Sequence, residues 1–296
     1  IGGGEPTLHP DFEEVVLLIK LLGLQCAIVS NGAHNERIAG VVDHLEQGDW
    51  VRLSLDAATE ETFRALHRPR RPVTLDHIAR TAALLKQRQP LLQLGFSFIV
   101  MWHAMGQISA PGAGNAGEMA AAASLAKAHG FDYISFKPML VRNEERAEIV
   151  NIGRTPDGTR PRVPASVIGE IRAGLRHAEA MDDASFRVVP SKNLVAMLQG
   201  SGFEQFRQQP RECHMQHFRQ VLTPDGVFAC PAHRGNQHSR IGEHTAYRTA
   251  DHFSGTFKAT EAQVRRFNAA VECREITCIY NDTNWWIEDL LESGED

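Results

Sequence analysis

Of the five cysteines in this 296-residue chain, four fall in its last third, Cys213, Cys230, Cys273 and Cys278, while Cys26 stands alone near the start. Deprotonated cysteine is a metal ligand, and four thiolates supplied as two separated pairs can enclose a metal ion or an iron–sulfur cluster. In a large intracellular chain this pattern points to metal ligation more than to disulfides. The gaps are wider than the spacing usual in structural zinc sites. His214, His217, His233, His238 and His244 share the region and are candidate substitutes for one ligand. The plainer alternative is four unrelated thiols packed as small apolar groups. Cys26, within the apolar run "LQCAIVSNG", reads as core packing.

The chain opens on "IGGGEPTLHPDF", bare backbone beside one carboxylate and just ahead of a helical pattern. A second glycine stretch, "GAGNAG", sets Gly112, Gly114 and Gly117 in the GxGxxG order of dinucleotide sites. Its context does not suit that use. The loop from the strand end near Met101 is too long for the tight turn, and the next strand ends in Lys137-Pro138 where an acidic ribose ligand is expected. The glycines read instead as a flexible loop. No G-x-S-x-G elbow for serine hydrolysis occurs. Asp56 could act as the base of a barrel aldolase or isomerase, yet spacing singles out no lysine or partner for it.

Positioning such groups needs a scaffold, and the pattern supplies one. Short β-branched or apolar runs alternate with longer amphipathic ones, which is the signature of βα units around a parallel sheet. "LQCAIVSNG", "VRLSLDA", "QLGFSFIVM", "DYISFKPM" and a short "FRVVP" read as strands. The first helix, "PDFEEVVLLIKLLG", has Val15, Val16, Ile19 and Leu22 on one face, with Asp11 as cap and Gly23 as stop. Ser30-Asn31, Ser54, Asp56 and Lys137 gather at strand C-termini, the edge where parallel sheets bind ligands. The opening glycines stand where a loop after a preceding strand would. Beyond about Asn193 the alternation gives way to a Cys- and His-rich stretch around Pro224-Asp225-Gly226, a turn that predicts a hairpin. Folding back there brings Cys213 toward Cys230, and a later loop supplies Cys273 and Cys278 before a terminal helix. The reading is a larger α/β domain over residues 1–192 and a smaller metal-binding domain over 193–296.

A hydrophobic content of 43%, a charged content of 23% and a net charge of -5 describe a soluble globular chain with a sizeable core. Basic residues are scattered, so nucleic acid is not an expected partner. No apolar run reaches the roughly 20 residues of a membrane span, and the start does not resemble a signal peptide; the expected location is cytoplasmic.

Taken together, the barrel-like order, the opening loop and the late cysteines make the chain resemble the radical SAM enzymes. "GGGEPTLHPDFEEVV" resembles the family's GGE loop after the second strand. "IVSNG" and "VRLSLDAATEETFRALHRP" are similar to the third and fourth strands with their helices, and "GFDYISFKPM" to the sixth. Asn115 and Glu118 resemble the Asn-x-x-Glu of the fifth unit. The resemblance implies an α/β fold: a partial (β/α)6 TIM-like barrel, the radical SAM core lacking its first strand and helix, followed by a small α+β cluster-binding domain. It implies that Gly3, Gly4 and Glu5 hold the methionine amino group of S-adenosylmethionine, and that Ser30, Asn31, Ser54 and Asp56 contact its ribose and carboxylate. Residues 193–296 resemble the SPASM and twitch auxiliary-cluster modules. Four ligands, Cys213, Cys230, Cys273 and Cys278, suit the one-cluster twitch form found in aminoglycoside-pathway dehydrogenases, although the last gap is wider than that pattern has.

The family's CxxxCxxC, which normally lies upstream of the GGE loop, appears nowhere in the sequence. The expectation is therefore a truncated copy, inactive alone, of an enzyme with oxidoreductase or maturase activity. Its parent would generate a 5′-deoxyadenosyl radical from S-adenosylmethionine and abstract hydrogen from a peptide or sugar-like small-molecule substrate. It would carry one auxiliary 4Fe–4S cluster and draw electrons from a reductant such as flavodoxin or ferredoxin. Two other readings stay open: a non-catalytic zinc-binding module on a barrel remnant, and a nicotinamide-dependent enzyme using the GAGNAG loop.

Overall fold

The structure, a computed structural model, describes residues 1–102, 114–142, 147–150, 163–199 and 206–294. The chain divides into two compact units, Ile1–Pro138 with Ile152–Leu194, and Met139–Asn151 with Val195–Asp296. The segment from Met139 to Asn151 joins the second unit instead, because the Glu148 N–H donates to Ala232 O and Arg142 Nη1 donates to Arg234 O.

The first unit runs α1 (Phe12–Leu21), β1 (Ala27–Ser30), α2 (Asn35–Ala39), β2 (Trp50–Ser54), α3 (Glu60–His67), α4 (Leu75–Arg88), β3 (Gln93–Val100), α5 (Met119–Ala128) and β4 (Tyr133–Pro138). The pair β5 (Leu140–Arg142) and β6 (Glu148–Val150) follows, then α6 (Ala165–Glu179), β7 (Arg187–Pro190) and α7 (Lys192–Gln199). Five strands form one sheet in the order β1-β2-β3-β4-β7, every pair parallel. This is the α/β architecture that the alternation predicts. Upstream of it, Ile1 bonds along β1 like a further strand residue: its amino group donates to Ala27 O and its carbonyl accepts from Val29 N.

Period-two alternation splits the sheet into two unlike faces. Val51, Leu53, Leu94, Phe96, Phe98, Ile134 and Phe136 are completely buried. Helices α4 and α5 pack against β3, and α5 against β4. Phe98 meets Phe136 edge to face at 5.4 Å, as Phe96 meets Phe131 at 5.5 Å. Each such side chain contributes about 1.5–3 kcal/mol by burial, so this face supplies the main core. The opposite face carries Arg52, Ser54, Ser97, Ser135 and Lys137 beside the apolar Val29, Trp50, Ile99 and Val189.

In α1 the structure departs from the expected apolar face. Phe12 and Val16 are the buried residues, whereas Val15 is 40% and Leu22 63% exposed. The helix is apolar nearly all round, so periodicity cannot choose which side packs.

The second unit contains an antiparallel sheet ordered β10-β9-β8, from β8 (Val221–Thr223), β9 (Gly226–Phe228) and β10 (Arg240–Gly242), and the antiparallel pair β5–β6. Thr223 pairs with Gly226 across the turn, the hairpin predicted from Pro-Asp-Gly. Helices α8 (Ala250–Arg266), α9 (Ala269–Glu272) and α10 (Asn281–Ser293) complete it. Thr249 caps α8 by accepting from His252 N. Among the described residues no helix is long and apolar enough to cross a membrane.

Candidate active site

The opening loop is clasped to the C-terminal end of β1 by one carboxylate. Glu5 Oε1 accepts from Thr7 N at 3.1 Å, Thr7 Oγ1 at 2.6 Å and Ser30 Oγ at 2.8 Å; Oε2 accepts from Asn31 N at 2.7 Å. A carboxylate with four donors holds its neighbours in place rather than waiting for a ligand. Gly3 and Gly4 precede it at φ of 86° and 58°, and a Cβ on either would meet nothing within 4 Å. Glycine is required there by backbone conformation and not by clearance. Ser30 is likewise engaged, donating to Glu5 and accepting from Gly32 N, and Asn31 Oδ1 accepts from Ala33 N.

A second clasp joins the ends of β2 and β3. Asn115, fully buried, donates through Nδ2 to Asp56 O at 2.7 Å and Ile99 O at 2.8 Å, and accepts from Met101 N at 2.7 Å. Three residues on, Glu118 accepts from Ala58 N, Thr59 Oγ1 and Thr62 Oγ1. These bonds hold Asp56 at φ 50°, a left-handed conformation uncommon for a residue with a side chain. Its Oδ1 accepts from Ile99 N, and Oδ2 lies 3.5 Å from His67 Nε2. Burial pushes the Asp56 carboxyl up. His67 itself is stacked on Phe63. Gly112 lies outside the described residues, while Asn115 and Glu118 of the same stretch are committed to these clasps.

Polar groups on the sheet form rungs. Arg52, Gly95 and Tyr133 are in register, and so are Ser54, Ser97 and Ser135 one step nearer the C-terminal edge; Lys137 pairs with Ile99 above them. A Cβ at Gly95 would fall 2.2 Å from Tyr133 Cζ, so glycine makes room for the phenol beside Arg52. Lys137 Nζ lies 3.5 Å from Ser97 Oγ. Burial, and then the charge of Arg52, pull Lys137 down to about 8. Ser54 and Lys137 were legible as strand-end polar residues; Arg52 and Tyr133 were missed. The alternation of "WVRLSLD" and "YISFKP" carried the signal, since each reads polar on every second residue.

Within the second unit Cys213, Cys230 and Cys273 are buried and Cys278 half-buried, all as free thiols. Cys213, Ala147, Phe267, Ala269, Cys273 and Ile276 share one core, with Cys278 packed against it. Burial and then the neighbouring sulfurs raise Cys213 and Cys273, and burial pushes Cys278 up to about 11. Every one of these sulfurs faces a nitrogen, an N–H donor at Cys213, Cys230 and Cys278. Arg219 Nη2 lies 3.4 Å from Cys230 Sγ, His233 Nε2 3.5 Å from Cys273 Sγ and Asn284 Nδ2 3.9 Å from Cys213 Sγ; the Tyr280 backbone N–H serves Cys278. Buried among apolar groups, His233 is pulled down to about 4 and is a neutral ring at ordinary pH. Such donors stabilise sulfur as an anion, the form that binds metal. Among the described residues no group of three or more His, Cys, Asp or Glu is arranged around a single ion. His214 is occupied by Glu288, with Nε2 to Oε2 at 2.5 Å, and His217 by Glu212.

Residues 1–103 match the model of the Radical SAM superfamily. That match covers about a third of the 296-residue chain. Two curated relatives are each called S-adenosylmethionine-dependent nucleotide dehydratase. That of Thermoplasmatales archaeon (strain ISO4-H5) is 38% identical over 65 residues, 20% of this chain and 21% of the relative. That of Flammeovirga pacifica is 33% identical over 76 residues, 26% of each. The matches thus span about a fifth to a quarter of those relatives' length. Streptococcus suis SuiB, in its structure with the precursor peptide SuiA, has a TM-score of 0.55 at 12% identity, covering 90% of this chain and 55% of SuiB. That likeness concerns the fold. The family match contains the opening loop, β1, β2 and β3, and thus the Glu5 clasp and Asp56.

Proposed function

We propose that this chain binds S-adenosylmethionine and substrate in a radical SAM oxidoreductase or maturase, and that its second unit holds one auxiliary 4Fe–4S cluster of the twitch type. The observation that carries the first part is the Glu5 clasp, which sets the left-handed Gly3-Gly4 pair beside the C-terminal end of β1. There the loop carbonyls can accept from a methionine ammonium, while Glu5 and Ser30 act as positioning residues. Ser54 and Asp56 lie at the end of the next strand; they would contact the ribose hydroxyls, and Ser54 would donate to the methionine carboxylate. When bound beside a reduced cluster, S-adenosylmethionine supplies a 5′-deoxyadenosyl radical that removes a hydrogen atom from substrate. The protein's part is to orient both molecules and keep water from the site.

In the second unit, Cys213, Cys230, Cys273 and Cys278 would hold the cluster, which supplies one-electron exchange. A zinc ion needs all four sulfurs about one bond length, roughly 2.3 Å, from a single point. Four thiolates can instead hold an iron–sulfur cluster, and the shared core of Cys213, Cys273 and Cys278, with Cys230 close enough to act on Cys273, supports that reading. Substrates of peptide or sugar-like character fit the proposal; nucleotides are named for the two curated relatives and a precursor peptide for SuiB.

Saturation-transfer NMR, which reads weak binding, tests the loop. The folded chain is expected to transfer magnetisation to S-adenosylmethionine, and Gly4→Val, which cannot adopt φ 58° without strain, to lose the transfer while staying folded. No transfer to the unaltered chain would overturn the proposal.

A further inference from the structure

The serine rung on the face of the sheet opposite the main core lies between two cations. Arg52 sits one step toward the N-terminal end of the strands from Ser54, Ser97 and Ser135; Lys137 lies one step toward the C-terminal end and reaches back to Ser97. Ser97 is 5% and Ser135 6% exposed. Two donor atoms there stand without a hydrogen-bond partner among the described residues, Ser135 Oγ and Arg52 Nε, and both are buried. A buried donor left without a partner is costly, so a site that keeps two of them open is built for something that accepts from both. Placing two like charges in one partly desolvated space costs more again, and the Asp56 carboxylate nearby already accepts from Ile99 N–H and faces His67. An incoming anion would relieve each of these costs.

We propose that Arg52, Lys137 and the hydroxyls of Ser97 and Ser135 form an oxyanion site that anchors a carboxylate or phosphate of the substrate. This rests on the reading that this sheet face receives substrate, and it narrows the substrate to one bearing an anionic group. Arg52 offers a planar fork, Lys137 a point charge and the serines short neutral donors, a set that either oxyanion satisfies. A phosphate would point to a nucleotide or sugar phosphate, a carboxylate to a peptide or amino acid.

Calorimetric titration of the whole chain with inorganic phosphate and, separately, with acetate tests the site without S-adenosylmethionine or iron, so its failure is distinguishable from failure of the proposed activity. One of the two anions should bind saturably at one site, and Arg52→Met and Lys137→Met should each weaken it at least tenfold. Ser135→Ala, which removes only a hydroxyl, should weaken it by a smaller factor and keeps the test open if a cation variant fails to fold. Phosphate alone binding selects the phosphoryl source, acetate alone the carboxylate source. Absence of saturable binding of both anions to the folded chain, or affinity unchanged in every folded variant, would overturn the proposal.

Discussion

Arg219 does two things with one guanidinium: Nη2 points at Cys230 Sγ, and Cζ lies 4.3 Å over the centre of the Tyr280 ring. Reduction of a cluster adds negative charge, which a nearby N–H and a positive charge both stabilise. On the proposed cluster, Arg219→Met should therefore move the midpoint potential to more negative values. Iron and sulfide content should be unchanged after anaerobic reconstitution, whereas Cys230→Ala should lower them. An electron-paramagnetic-resonance redox titration reads the shift. An unmoved potential with full iron would remove Arg219 from the role, and zinc without iron would instead remove the cluster. At this scale, the sequence gathers four cysteines in one region through the hairpin it predicts, and the structure brings Cys213, Cys273 and Cys278 to one core. What Glu5 does was not legible: a sequence shows a carboxylate beside glycines, but not that Thr7, Ser30 and the Asn31 backbone already donate to it.

The seating of Tyr133 of β4 against β3 depends on a missing side chain. Gly95 carries the Tyr133 ring against its backbone, with no room for a methyl group. Gly95→Ala should destabilise the chain by about 1–3 kcal/mol in urea unfolding, the usual cost of overpacking. Combining it with Tyr133→Ala should cost less than the sum of the two single changes, because the clash then has no second partner. Additive costs would mean that the ring does not press on this glycine. The strands were legible because their period of two is strong, and the parallel sheet followed from their alternation with helices. The face of α1 was not, because leucine and valine surround it and only packing selects Phe12 and Val16. The placement of β5 and β6 in the second unit was also hidden, since it depends on backbone bonds to residues some ninety positions later, such as Arg142 to Arg234.

For the molecule as a whole, Lys137 couples the face it shares with Arg52 to stability. Burial lowers its folded value to about 8, against roughly 10.4 for a lysine in water. Below pH 8 both folded and unfolded chains hold the proton, and the folded state bears the cost of a desolvated charge. Between about 8 and 10.4 the unfolded chain binds a proton that the folded one has released, so this residue's contribution to stability rises with pH. Comparing urea midpoints across that range, Lys137→Met should lack the rise that it adds to the unaltered chain; equal slopes would contradict this. Arg52, Tyr133 and Asp56 flank the group and are kept in both proteins. Elsewhere in the first unit, Leu18, Leu21, Leu22 and Leu24 of α1 and its following turn are 54%, 83%, 63% and 55% exposed. A contiguous leucine strip of that kind governs handling more than folding. Sulfate, excluded from protein surfaces, strengthens the burial of such a strip, so salting-out and retention on a phenyl matrix should respond to it, as to the exposed Phe218, Leu222, Trp286 and Leu291 elsewhere in the chain.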